Sequence, residues 1–296
     1  MDIRNLEGSI VALITPFHED GSVDFDALGR LIDFQLAAGT DALLPLGTTG
    51  ESSTMTHEED EAVASFVVER VAGRVPVITG SGSNDTRTML EKSLAYQRLG
   101  VDGLLLITPY YNKANEEGVY RHFATVLDAV DIPCILYNVP GRTGCSISVA
   151  NVERLSRHDN VLGIKEASGS ISYATDIAHL IGPTFKMFSG NDDMVVPLMS
   201  LGASGVISVW ANVQPALVRE MTHAYLAGDV ERARRIQLSG LPLVRALFSE
   251  VNPIPVKEAC ALMGLCEPNF RLPLCRMGAA AREGLIASMK GAGLVD

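Results

Sequence analysis

Basic residues are scarce in this chain: Lys and Arg total 24 against 35 Asp and Glu, a formal charge of −11. That balance speaks against a nucleic-acid or anionic-membrane partner, both of which select for basic patches. It leaves room for a small anionic substrate held by one local cation. Cys134, Cys145, Cys260, Cys266 and Cys275 are odd in number and include no CxxC pair, which argues against a disulfide framework or a zinc knuckle. No apolar run reaches the ~18 residues of a membrane span, and Met1-Asp2-Ile3-Arg4 does not open a basic-then-apolar leader. A reduced, cytoplasmic setting is expected. The scattered histidines His18, His57, His122, His158, His179 and His223 form no HxH or HExxH pair, so neither a metal site nor metal-dependent aldol chemistry is expected. GxSxG is absent, against a serine hydrolase, and GxGxxG and Walker A motifs are absent, against dinucleotide and P-loop folds.

What is present is a 296-residue chain, 47% hydrophobic with 27 glycines, ample for an α/β core. Short apolar runs recur at Ser9–Phe17, Ala42–Gly47, Pro76–Gly82, Gly103–Tyr110, Cys134–Pro140, Val161–Ser168, Phe185–Gly190 and Gly205–Trp210. Most are continuous rather than alternating, as suits parallel strands covered on both faces. Between them lie amphipathic stretches such as Asp24–Ala38 and the capping box Thr56-His57-Glu58-Glu59; Tyr120–Val130, Val149–His158 and Tyr173–Ile181 continue the alternation. Ala38-Gly39-Thr40-Asp41, Leu99-Gly100-Val101-Asp102 and Leu201-Gly202-Ala203-Ser204 repeat one grammar, a helix stopping at glycine before a turn and a strand. Alternation of this kind fits a doubly wound sheet or a closed barrel. Without a glycine fingerprint the reading is a (β/α)8 TIM barrel over residues 1–225. The apolar periodicities Ala216–Ala227, Val230–Leu238 and Ala279–Lys290 carry the last helices, with a small C-terminal helical region over 226–296.

Val161-Leu162-Gly163-Ile164-Lys165-Glu166-Ala167-Ser168 reads as a buried strand with a lysine in its middle. Desolvating an ammonium is costly unless it is paired or neutral, so Lys165 is either an ion-pair member or a nucleophile with a lowered pKa. Of the chain's other lysines, Lys92, Lys113 and Lys290 sit in polar contexts, Lys186 near the far end of a strand, and Lys257 after a proline-rich turn. Only Lys165 combines an apolar flank with a barrel strand. Barrel active sites lie at the C-terminal strand ends, which here carry Gly47-Thr48-Thr49-Gly50-Glu51, Tyr110-Tyr111, Tyr137 through Gly144 with Arg142, Lys165, Ser189-Gly190-Asn191-Asp192-Asp193, and Ile207-Ser208. Each piece also has a plainer reading. The threonine turn is a tight helix cap or a carboxylate cradle; the tyrosines rim the barrel or relay protons. Arg142 is a loop charge or a carboxylate clamp, and Asp192-Asp193 open a helix.

Gly47-Thr48-Thr49-Gly50-Glu51, the Tyr137–Gly144 segment, Gly163-Ile164-Lys165-Glu166 and Asn252-Pro253-Ile254-Pro255-Val256-Lys257 resemble the dihydrodipicolinate synthase family over essentially the whole chain. The threonine pair and the lysine strand are shared with the wider pyruvate-lyase superfamily, which includes N-acetylneuraminate lyase. The resemblance implies that Lys165 forms a Schiff base with pyruvate and that its enamine attacks L-aspartate 4-semialdehyde in lysine (diaminopimelate) biosynthesis. No organic cofactor takes part. By position, Thr49, Tyr137 and Tyr111 match the family's proton relay, Tyr111 reaching into a neighbouring subunit. Thr48 and Thr49 would hold the pyruvate carboxylate and Arg142 the semialdehyde carboxylate, with Gly190 and Ile207 lining the pocket of a homotetramer. Ser52, His57, Asn84 and Tyr110 match the family's allosteric pocket. Asp60 and Thr88 depart from the pattern of lysine-inhibited members, and Trp210 is bulkier than expected and would narrow the acceptor pocket. The nearest rival is a pyruvate aldolase or dehydratase acting on a sugar acid; Arg142 favours a short acceptor with its own carboxylate. A non-catalytic acid-binding paralogue is the rival of another class.

Overall fold

All eight apolar runs become strands, each shorter than the run that carries it: β1 Gly8–Ala12, β2 Ala42–Leu44, β3 Ile78–Gly80, β4 Gly103–Ile107, β5 Cys134–Asn138, β6 Val161–Glu166, β7 Lys186–Ser189 and β8 Gly205–Ser208. The computed structural model describes Met1–Asp296. Every strand pairing is parallel, in the order β2-β1-β8-β7-β6-β5-β4-β3. The two ends of that series meet through one bridge, Leu43 to Val77, so the barrel is nearly closed. The residues trimmed from each run form the loops at the barrel mouth, where polar side chains interrupt the apolar pattern.

The helices are α1 Phe25–Ala37, α2 His57–Val71, α3 Thr86–Arg98, α4 Glu116–Leu127, α5 Pro140–Thr143, α6 Val149–Leu155, α7 Ile171–Ala178, α8 Val195–Ser200, α9 Pro215–Leu226, α10 Val230–Leu247, α11 Ile254–Leu262 and α12 Ala279–Gly291. Side-chain caps set their starts: Asp24, Asp85, Asn115, Ser148 and Ser170 each accept from a backbone N–H of the first turn, and Thr56 with Glu59 completes the capping box. The repeated stop signal is real, since Gly39, Gly100 and Gly202 all take positive φ, a conformation other residues adopt only under strain.

Two C-terminal helices differ from the sequence reading. α10 runs on to Leu247 through an internal Pro242, a residue that costs a helix interior about 3 kcal/mol. Burial of Gly240, Leu243, Val244 and Leu247 on its inner face holds it straight through. The proline-rich segment after Asn252 is the first turn of α11, where a proline's missing N–H costs nothing.

Ile10, Ala12, Leu44, Ile78, Leu105, Ile135, Phe188 and Ile207 fill the barrel interior, while a larger apolar layer joins the strands to the helices. Tyr137, Lys165 and Phe188 sit in register across β5, β6 and β7. Tyr137 and Phe188 belong to the interior core, so the same level of the pleat places Lys165 inside the barrel near the C-terminal end of β6.

Candidate active site

Lys165 is 6% exposed and makes no ion pair within 4 Å, unlike every other lysine the fold buries. Its Nζ lies 4.4 Å from the centre of the Tyr137 ring. Desolvation pulls its pKa down to about 7, with the Arg142 charge adding to the fall and Asp192 opposing it. A large fraction of the amine is therefore unprotonated near neutrality. Of the two readings left by the sequence, ion-pair member or nucleophile, this environment fits the second.

The side chain has room because of Gly190. A Cβ there would stand 2.5 Å from the Ala167 Cβ, 3.1 Å from the Glu166 carbonyl oxygen and 3.1 Å from the Lys165 Cε. Its amide donates to the Glu166 carbonyl at 2.7 Å, which fixes the glycine beside the lysine stem. The Glu166 side chain is held away from the amine, accepting from Asn138 Nδ2 at 2.8 Å and the Ser168 amide at 2.6 Å.

Asp192, read from sequence as a helix opener, does more than that. It is fully buried, accepting Ser208 Oγ at 2.5 Å, the Val209 amide at 3.0 Å and the Trp210 amide at 2.9 Å. Burial raises its pKa, and those three donors and Lys165 hold it back. The carboxylate nearest in influence to the amine is thus already engaged by other donors. A polar residue at the end of a barrel strand was the available signal, and its adjacency to Asp193, which is exposed, masked it.

Tyr137 is buried; burial pushes its phenol up in pKa, while the Arg142 charge and the Thr48 hydroxyl draw it back. Thr49 is 3% exposed, and its Oγ1 accepts from Asn252 Nδ2 at 3.0 Å. Arg142 is exposed at the mouth and anchored by Nη2 donating to the Asn252 carbonyl at 3.2 Å. Asn252, quoted from sequence only within a motif, therefore touches two expected site residues. Its distance along the chain hid it.

A cavity of about 450 Å³ opens over this mouth; its walls include Thr48, Tyr137, Arg142 and Thr143 together with Ser52, His57, Asp60, Thr88, Lys92 and Tyr110. Lys165, Thr49, Gly190 and Ile207 do not wall it; Tyr137 walls the cavity and also stands beside the amine. Ile207 is 1% exposed in the interior core. Asn84 stands apart from the cavity, its carbonyl accepting from Asn112 Nδ2 at 2.9 Å. Asp60 is 1% exposed and paired with Lys92 at 2.7 Å. Tyr111 is not brought to the cavity at all: the residue is 88% exposed, on a backbone with φ of 73°.

Two expectations are corrected. Trp210 does not narrow the cavity. It is fully buried, donates to Gln214 Oε1 at 2.8 Å, and sets the edge of its six-membered ring against α10 where only a glycine fits: a Cβ on Gly240 would stand 2.2 Å from the indole. Its bulk fills the seam between barrel and appendage. Nor is Lys165 alone in combining an apolar flank with a barrel strand. Lys186 lies within β7, buried between Phe185 and Met187 in sequence and 3.5 Å from Glu7; Lys257, on α11 rather than a strand, is wholly enclosed beside Glu51.

No helix is long and apolar enough to cross a membrane. The family model described as Dihydrodipicolinate synthetase family matches residues 5–292. A 4-hydroxy-tetrahydrodipicolinate synthase of Pelobacter propionicus is 50% identical over 289 residues, 98% of this chain and 99% of its own. The crystal structure of a dihydrodipicolinate synthase from Aquifex aeolicus superposes with a TM-score of 0.95 at 46% identity, covering 97% of this chain and 98% of its own. A structure described as a monomeric dihydrodipicolinate synthase variant gives a TM-score of 0.96 at 39% identity over 99% of each chain.

Proposed function

From the premise that this chain belongs to the dihydrodipicolinate synthetase family, we propose that Lys165 is the amine through which it condenses pyruvate with L-aspartate 4-semialdehyde. The chain is a lyase of the pyruvate-dependent synthase class, acting as a 4-hydroxy-tetrahydrodipicolinate synthase. In the proposed sequence, the neutral Lys165 amine adds to the ketone of pyruvate and water leaves, giving an imine. Loss of a methyl proton turns the imine into an enamine, whose carbon forms the new bond to the aldehyde. Attack of the semialdehyde's own amino group on the imine carbon then closes the ring and frees Lys165. The covalent imine itself is the electron sink, so the reaction needs no organic cofactor.

The observation that carries this reading is an amine inside a barrel mouth, unpaired, desolvated and poised near neutrality. Around it, Thr48 and Thr49 are assigned the pyruvate carboxylate, Arg142 the acceptor's carboxylate, and Tyr137 with Thr49 the proton transfers. Gly190 and Ile207 shape the floor. Tyr111, left in solvent by its own chain, is assigned to a neighbouring subunit's relay in a homotetramer. Residues 1–225 are taken as the catalytic barrel and 226–296 as a helical region that braces it, in a cytoplasmic protein with free cysteines. Ser52, His57, Asn84 and Tyr110 are assigned to a regulatory arm. There the Asp60 carboxylate is already neutralised by Lys92, which disfavours a cationic amino acid as effector.

Incubation with pyruvate and borohydride, followed by peptide mapping, is expected to give a reduced adduct on Lys165 and on no other lysine. An adduct on Lys257 or Lys186, or none, overturns the assignment. Addition of L-aspartate 4-semialdehyde before the reductant is expected to suppress the adduct by turnover.

A further inference from the structure

Asn252 sits in the turn between α10 and α11, more than two hundred positions from the threonines, yet only 6% exposed at the barrel mouth. Its Nδ2 donates to Thr49 Oγ1 at 3.0 Å and its backbone carbonyl accepts from Arg142 Nη2 at 3.2 Å. Its Oδ1 is buried without a hydrogen-bond partner, so the bond to Thr49 is the only one its side chain makes. The turn is tied down from the other side as well. The Lys257 amide donates to the Pro253 carbonyl at 3.0 Å, and the Lys257 ammonium binds Glu51, two residues beyond Thr49. Asn252 and Thr49 are thus fixed relative to each other by a second, independent contact.

We propose that Asn252 is a positioning residue for the condensation: its amide sets the direction in which Thr49 can give its proton, and its carbonyl sets the reach of Arg142. This rests on the assignment of Lys165, Thr49 and Arg142 above. A threonine hydroxyl carries one proton and two acceptor sites. With an amide N–H filling one acceptor site, the proton is kept for another acceptor, the Tyr137 phenol or the substrate. The two functions belong to different atoms, side chain for Thr49 and main chain for Arg142, so a substitution separates them.

Asn252→Asp keeps the shape and replaces the donor with an acceptor, which draws the Thr49 proton toward itself. A single-turnover condensation rate about 100-fold lower is expected, the scale of losing a positioned proton-transfer group. The KM for L-aspartate 4-semialdehyde is expected to stay within about twofold, because the main-chain anchor of Arg142 remains. In a Thr49→Val background the same substitution is expected to add less than about threefold, since coupled residues are not additive. Asn252→Ala, which adds no charge, should lower the rate about tenfold with the same masking, and it decides the matter if the aspartate variant does not fold. A rate unchanged in either variant, or a loss undiminished in the Thr49→Val background, overturns the proposal. Borohydride trapping of pyruvate is run in parallel. No adduct on the unsubstituted protein sinks the parent assignment, whereas full adduct with unaltered turnover in the Asn252 variants sinks only this one.

Discussion

Lys165 and Lys257 are both buried lysines at the C-terminal end of the barrel, and the difference between them separates an unpaired amine from a strut. Lys257 is 0% exposed. Its ammonium binds Glu51 and donates to the Asn269 carbonyl at 3.0 Å, between the rings of Phe17 at 4.3 Å and Phe270 at 5.0 Å. Burial lowers its pKa and Glu51 opposes the fall. Lys165 has the aromatic contact but no acid of its own. Lys92 with Asp60 and Lys186 with Glu7 repeat the Lys257 pattern. Burial alone therefore does not mark the amine proposed to react in this fold. What marks it is burial without a counter-ion, beside a residue that walls the cavity.

Exchanging the two lysines for methionine tests that division most severely. Lys165→Met is expected to lower turnover on the order of 10⁴-fold or more, equivalent to about 5 kcal/mol of barrel-mouth chemistry, with stability unchanged or raised because a desolvated amine is removed. Lys257→Met leaves the Glu51 carboxylate buried and unpaired, a loss of about 3–5 kcal/mol, while the folded fraction still traps pyruvate on Lys165. Urea midpoints and borohydride adduct yields measured on both variants check this. The contrast breaks if both variants lose stability alike, or both lose the adduct.

Gly190→Ala sharpens the comparison from the geometric side. The added methyl meets the Ala167 Cβ and the Lys165 stem, an overpacking of about 1–3 kcal/mol. Part of that is expected as a kcat loss of about tenfold, since the lysine stem must shift, with Lys257 unaffected. Steady-state kinetics beside a denaturant curve separate the two shares.

The gentlest probe is pH. Lys165 has a folded pKa of about 7 against an ordinary 10.5. Its adduct-forming rate should fall about tenfold per pH unit below 7 and level off above it. Between those two values the unfolded chain binds the extra proton, so this group's destabilisation shrinks as pH rises through that window. A rate that keeps climbing toward pH 10 would place Lys165 in the paired class.

The eight strands were legible because strands covered on both faces must be apolar throughout, and the capping signals because they are local chemistry of three or four residues. Lys165 was legible by the same logic, as a charge where the pattern allows none. The pairing of Lys92, Lys186 and Lys257 was not, since each is stabilised by a partner distant in sequence; Lys257 and Glu51 are 206 positions apart. Asp192 looked like an ordinary helix-opening acid because its three donors come from the end of another strand. Trp210 was placed on the wrong side of its strand end, because the glycine that receives it lies in α10 and carries no sign of that partnership in sequence.

The seam where β2 meets β3 has a consequence for access. Both strands span three residues, and a single bridge stitches them. Their ends and the loops leaving them contribute Gly47 and Thr48, and Gly80, Gly82 and Ser83, to the walls of the cavity. The ring of hydrogen bonds is thinnest directly under the opening, so a guest wedged there strains the least-stitched staves of the barrel and leaves the firmly laced β5–β6 pair, with its lysine, undisturbed.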